Sequence, residues 1–273
     1  MVRIIAFLGG SGFIFALLIA AFTPRDAVEE STSERFHIEP KAVSFASDGP
    51  LGKFDRAQLQ RGFQVYKEVC SACHSMRLVS FGDLEQIGYT AGQVKTIATE
   101  WTTEQPSLNP ETGEAATRKN LPSDKFPMPF ANEIAARAAN NNAIPPDMSL
   151  LSKAREGGAA YIYSLITGYQ DPPKNLPKDS LPGPGLHYNP YFPNLNLSMS
   201  PPLTADGQVT YGPGNPKSTV RQMAKDVSAF LIWTSEPKLE ARHRAGSAVL
   251  IFLLIFAGLT YASYKSIWAD KKH

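Results

Sequence analysis

The only two cysteines of the chain lie three positions apart, in Cys70-Ser71-Ala72-Cys73-His74. That pentapeptide restricts what the sequence can fold into more than any other feature. Two thiols at this spacing add across the two vinyl groups of a haem, because the intervening pair of residues puts both on one side of the porphyrin edge. The adjacent His74 is then held against the iron as the proximal ligand. A haem attached in this way keeps its place in a small, open fold and serves as part of that fold's core. Two other readings compete. A thioredoxin-like redox pair needs a strand ahead of the motif, whereas the residues ahead of this one predict a helix. Half of a zinc site needs further ligands, and the remaining histidines, His37, His187, His243 and His273, are widely scattered. A Cys70–Cys73 disulfide would close too small a loop to staple a domain.

Composition agrees with a fold that needs such a core. The 273 residues include 20 glycines and 22 prolines, which predicts long irregular loops. The 43% hydrophobic and 19% charged content suits one folded domain with membrane segments. A formal net charge of +2 gives no sign of nucleic-acid binding.

Apolar runs stand at both ends. Ile4 to Phe22 is uncharged behind Arg3 and reads either as a signal-peptide core or as a retained N-terminal anchor. It exceeds the usual signal core of about 7–15 residues, and Leu18-Ile19-Ala20 is a poor cleavage site. Residues 1–27 are therefore taken as a signal peptide or a retained anchor, and either directs export of the domain behind it. Ala245 to Tyr264 carries no charge, and a helix of that length spans about 30 Å, the hydrocarbon thickness. Arg242 and Arg244 flank it on one side and Lys265, Lys271 and Lys272 on the other, so charge barely orients it. Tyr261, Tyr264 and Trp268 suit an aromatic belt. The expected divisions are a folded domain over 28–240, a transmembrane helix over 241–265 and a tail over 266–273.

Between the apolar runs the pattern is helical where it is regular. From Thr23 to about Gly52 the chain is polar, with Glu29, Glu30 and Glu34, and reads as an extended lead-in. Asp55 to Gln58 has the form of a capping box. Leu59, Phe63, Tyr66 and Cys70 then fall on one helix face, which carries the helix into the CxxCH motif. Helices are further predicted over Thr90–Trp101, Asn132–Asn140, Ser149–Arg155 and Ala159–Thr167. A last one is capped by Ser218, with Val220, Met223, Val227, Phe230 and Leu231 on one face, and ends by Pro237. Glu104–Pro129 and Asp171–Pro216 read as loops. Glu100, Glu104, Glu111 and Glu114 form an acidic set that suits either solvent or a basic partner.

A sixth iron ligand must come from the far side of the haem. Met sulfur there suits electron transfer, whereas an open position suits catalysis or gas binding. Met76 is too near His74 in sequence, Met223 lies on an apolar helix face, and Met148 follows Pro145-Pro146-Asp147. Met128, between prolines, is a competitor. Met199, in an irregular loop stiffened by Pro201 and Pro202, is the first choice, with His187 as a bis-histidine alternative. Arg155 and Tyr161 are residue types that hold haem propionates, although composition alone favours a solvated arginine and a packed tyrosine.

Several segments together resemble the cytochrome c1 family, the haem subunits of the cytochrome bc1 complex. They are Arg61 to Met76 around the motif, Ala135 to Asn142 with Pro145-Pro146-Asp147, and Ala154 to Gly158. Leu165 to Tyr169, Asn189 to Pro193, Met199 to Pro202 and Val220 to Trp233 come next, in order. The resemblance implies an all-α, cytochrome c-type haem domain with a C-terminal transmembrane helix. It implies one covalent haem c, thioether-linked through Cys70 and Cys73 and ligated by His74 and Met199. Arg155 and Tyr161 would lie near the propionates, and a carbonyl at Pro146 would take the His74 Nδ1 proton. It further implies an inner-membrane subunit with its haem domain in the periplasm and its tail in the cytoplasm. Cytochrome b and the Rieske iron–sulfur protein would be its partners in a dimeric quinol–cytochrome c reductase. Its role would be electron transfer from the Rieske protein to cytochrome c, quinol oxidation belonging to the assembled complex. Some bacterial relatives carry a further cysteine pair; this chain has none, so packing and prolines must hold its distal loop.

Overall fold

The computed structural model describes residues 2–23 and 30–271. The expected boundary at 27, together with Glu29, Lys272 and His273, lies outside the described residues. Helix α1 spans Val2–Phe22 and the short α2 spans Thr32–Phe36, closed by a Ser31–Glu34 capping box. Helix α3, Arg56–Val65, begins at Asp55, whose side chain accepts from the Gln58 N–H. The expected capping box is only half formed. The Gln58 amide does not reach back to Asp55 but donates to Asp226, at 3.0 Å.

Leu59, Phe63 and Tyr66 are buried along the expected face. At Tyr66–Cys70 the helix widens to a π-turn, sealed by the Ser71 N–H on the Tyr66 carbonyl at 2.8 Å. Such widened turns concentrate at functional sites. A 3-10 turn, Phe81–Ile87, leads to α4, Ala91–Thr99, capped by Thr90. The stretch read as a loop then contains a hairpin. Strands β1, Gln105–Leu108, and β2, Ala115–Arg118, pair antiparallel with Gln105 opposite Arg118. Helix α5 covers Glu133–Ala139, and α6 covers Gly158–Ile166.

Residues 149–155, expected as a helix, form hydrogen-bonded turns instead. Their serines are engaged elsewhere: Ser152 donates to the Leu231 carbonyl at 3.1 Å, and the Leu78 N–H donates to the Ser149 hydroxyl at 3.1 Å. Side chains used in this way compete with a helix's own ladder. Strands β3, His187–Tyr188, and β4, Asn196–Leu197, form a short antiparallel pair. Helix α7 runs over Val220–Ser235 with Thr219, rather than Ser218, as its cap. Helix α8, Leu239–Trp268, begins after a break at Pro237.

Helices α3 and α7 cross at Gly62. A Cβ there would stand 2.1 Å from the Asp226 carbonyl oxygen and 2.7 Å from the Phe230 Cβ, so only glycine allows this approach. Around the crossing lies an aromatic core. The Phe63 ring meets Phe230 at 5.7 Å and Tyr89 at 5.6 Å, and Phe81 meets Phe126 at 4.4 Å between centroids. Each such side chain contributes roughly 1.5–3 kcal/mol on burial. Met223, Val227 and Leu231 of α7 close the same core. The fold is mainly helical, as expected, with two short antiparallel strand pairs inside stretches read as loops.

Helices α1 and α8 are both long and apolar enough to cross a membrane, and neither apolar stretch is buried in the protein. The start of α8 is fastened to the start of α3. Glu240 accepts two hydrogen bonds of 2.8 Å from the Arg56 guanidinium and one of 2.8 Å from the Phe54 N–H.

Candidate functional site

The π-turn ends in a tight loop that gathers the motif. The Cys73 and His74 N–H groups both donate to the Cys70 carbonyl, at 3.2 and 2.9 Å. Both thiols are free and half-buried, as is His74. Yet burial still pushes the Cys70 thiol up to about 12 and lowers the His74 imidazole. Low dielectric there favours the neutral imidazole, the form that ligates a metal.

The orientation of His74 is set from outside the motif. Its Nδ1 lies 2.8 Å from the Pro146 carbonyl oxygen. A carbonyl only accepts, so Nδ1 carries the proton and Nε2 presents its lone pair. Pro146 is itself held by its neighbour. The Asp147 carboxylate accepts from the Ser75 hydroxyl at 2.8 Å, the Arg77 N–H at 2.9 Å and the Ser149 N–H at 3.0 Å. The Met148 N–H donates to the Ser75 carbonyl at 2.8 Å. The Tyr66 hydroxyl donates to the His74 carbonyl at 3.2 Å.

The methionines separate by environment. Met76, Met148 and Met223 are buried in the core. Met128 is 54% exposed. Met199 is half-buried and stands two residues beyond β4. Its carbonyl accepts from the Tyr169 hydroxyl at 2.9 Å. The His187 ring lies edge-on to Tyr169, with centroids 6.4 Å apart. Tyr161, buried on α6, faces both Tyr169 and Arg155; burial raises its phenol, and the Arg155 guanidinium partly offsets this. Arg155 itself is exposed. The structure thus brings Cys70, Cys73, His74 and Pro146 together in one cluster, and Met199 sits in a second neighbourhood with Tyr169, which adjoins Tyr161 and, through it, Arg155.

Sequence reasoning did not single out Tyr169 or Asp147. Both fall inside segments that carry the resemblance, and that was the only signal for them. Among the described residues no three His, Cys, Asp or Glu side chains gather as a metal site, so the zinc reading finds no ligand set. The helix ahead of the motif removes the thioredoxin-like reading.

A helical domain carrying CxxCH on a widened turn, with an oriented histidine and an apolar C-terminal helix, has the make-up of a membrane-anchored electron-transfer haem protein. Comparison with known proteins narrows that class. Residues 45–271 match the model of the Cytochrome C1 family, and the chain belongs to that family. It is 43% identical over 237 residues to "Cytochrome c1" of Rhodospirillum rubrum, covering 82% of this chain and 86% of that protein. It is 40% identical over 272 residues to "Cytochrome c1 1, heme protein, mitochondrial" of Arabidopsis thaliana, covering 99% of this chain and 83% of that one. The "Cytochrome b/c1" of Bradyrhizobium diazoefficiens is 40% identical over 273 residues, and the match spans only 39% of its length.

Proposed function

We propose that the chain is the electron-transfer subunit of a cytochrome bc1 complex, passing single electrons from a Rieske iron–sulfur protein to cytochrome c. The observation that carries this reading is the Cys70–His74 turn with His74 Nδ1 held 2.8 Å from the Pro146 oxygen. One haem c would be held by thioether bonds from Cys70 and Cys73, and ligated by His74 and Met199. When bound, it supplies one-electron chemistry by alternating between ferric and ferrous iron.

This chain's residues do the rest. The Pro146 carbonyl keeps the His74 proton on Nδ1, so Nε2 holds the same position in both oxidation states and little reorganisation opposes transfer. Met199 would supply the second iron ligand and so exclude water and small ligands. Arg155 and Tyr161 would meet the propionates, the first by charge and the second by its hydroxyl. Helix α8 anchors the haem domain on the periplasmic side of the inner membrane, with the tail in the cytoplasm. Cytochrome b and the Rieske protein are the expected companions, in a dimeric complex. The names of the relatives support the first of these, since one of them is printed as "Cytochrome b/c1".

Purification in mild detergent tests the assembly. Cytochrome b and an iron–sulfur subunit are expected to co-purify with a haem that survives acid extraction. A chain that purifies alone would indicate a free membrane-anchored cytochrome instead. Met199→Leu is expected to abolish the sulfur-to-iron charge-transfer band and lower the potential. A wild-type spectrum without that band would favour His187, or an open sixth position.

A further inference from the structure

The distal loop, 187–199, has no disulfide to hold it, because both cysteines belong to CxxCH. It is fastened instead to the C-terminal end of α6 at two points. At its turn, the Asn189 side-chain amide donates to the Leu165 carbonyl and the Asn189 N–H to the Leu195 carbonyl, both at 2.7 Å. At its open end, just past β4, the Met199 carbonyl accepts from the Tyr169 hydroxyl at 2.9 Å. The intervening chain is closed by the pairing of His187 with Leu197 and Tyr188 with Asn196.

Two features indicate that this geometry is enforced rather than loosely adopted. Leu195 is buried with φ +63°, a left-handed conformation that costs a side-chain-bearing residue free energy and persists only when its surroundings dictate it. Gly168, just before Tyr169, approaches so closely that a Cβ would stand 2.3 Å from the Tyr191 ring and 2.5 Å from the Ser164 carbonyl oxygen. The backbone leading into Tyr169 is therefore seated between α6 and the loop it fastens.

We propose that Tyr169 is the positioning residue for the sixth iron ligand. Its hydroxyl fixes the Met199 carbonyl, and with it the Cα from which the sulfur reaches the iron. The assignment rests on the reading of Met199 as that ligand. Without the hydroxyl the segment that carries Met199 gains freedom, the sulfur dissociates more readily, and outside ligands compete better.

The test uses the purified ferric holoprotein, titrated with imidazole as the competing ligand while the sulfur-to-iron charge-transfer band is followed. Tyr169→Phe removes only the hydroxyl. Imidazole affinity is expected to rise by about tenfold, the scale of one lost hydrogen bond. The band should weaken and the midpoint potential fall, at unchanged haem content. Tyr163→Phe, which removes a phenol on α6 just upstream, should match the wild type.

Met199→Leu separates the two claims. If it leaves the band intact, the ligation reading fails and the Tyr169 assignment fails with it. If it abolishes the band while Tyr169→Phe leaves imidazole affinity at the wild-type value, Tyr169 is overturned and the ligation stands. Should Tyr169→Phe fail to take up haem, fluorotyrosine at position 169 carries the test. It keeps the shape and is a stronger donor, so imidazole should bind more weakly; unchanged binding would overturn the proposal.

Discussion

Asp147 shows how much of the site depends on a residue outside the CxxCH motif. Burial works against its charge, but the donors from Arg77, Ser149 and Ser75 outweigh it and hold its carboxyl below the ordinary carboxylate range. Its pKa is lower folded than unfolded. Its stabilising contribution is therefore complete above about pH 4 and is lost as pH falls through the lower, folded value. Asp147→Asn is expected to cost about 1–3 kcal/mol at neutral pH, the scale for a charge-assisted, partly buried set of hydrogen bonds. Thermal melts at neutral and acid pH should show this as a lower Tm and a shallower acid limb. The CxxCH motif was legible from five residues because its chemistry is local. The Pro146 contact was anticipated only through family resemblance, since residues 72 positions apart share no sequence pattern.

At the scale of elements, the face of α3 was readable because Leu59, Phe63 and Tyr66 repeat at helical spacing and all are buried. The π-turn at its end was not readable. Whether the widened turn is accommodated depends on what packs around it, which periodicity does not report. The hairpin over 105–118 was read as loop for a related reason: both strands lie mostly in solvent, so no alternation marks a buried side. The α3–α7 crossing makes a sharp prediction. Gly62→Ala would force a methyl group into the Asp226 backbone, which cannot swing aside as a side chain can. A loss of about 3 kcal/mol or more is expected, beyond ordinary overpacking. Haem retention and Tm of the purified variant measure it. The same crossing buries Asp226, fully enclosed and gripped by Arg61 at 2.9 Å. Asp226→Ala leaves that guanidinium partly buried without its partner and is expected to cost about 3–5 kcal/mol, read by denaturant unfolding of the haem domain.

Over the whole molecule, the anchor is clamped rather than tethered. The Arg56–Glu240 pair joins the first residue of α3 to the first turn of α8. Beside it Glu236 pairs with both Arg242 and Lys153, and His243 Nδ1 meets the Gly52 carbonyl at 3.1 Å. Individually, such exposed pairs contribute only about 0–1 kcal/mol. Their effect is geometric: they fix the haem domain's attitude to the membrane span. Glu240→Gln should leave the haem spectrum and Tm nearly unchanged while speeding hydrogen exchange at the Phe54 amide, which loses its charged acceptor. Unchanged exchange there would show that the clamp does not hold in solution.

The sequence by itself determined a CxxCH motif of the haem-attachment pattern, a helical domain with long loops, two apolar spans and the family. Each of these comes from local chemistry, from periodicity, or from segments matched in order. Only the tertiary structure decided which proton His74 keeps, which glycine sets the helix crossing, and what holds the loop of Met199. Those depend on carbonyls and hydroxyls brought together from distant parts of the chain. A backbone acceptor is the same in every residue, so its partner becomes visible only once the chain is folded.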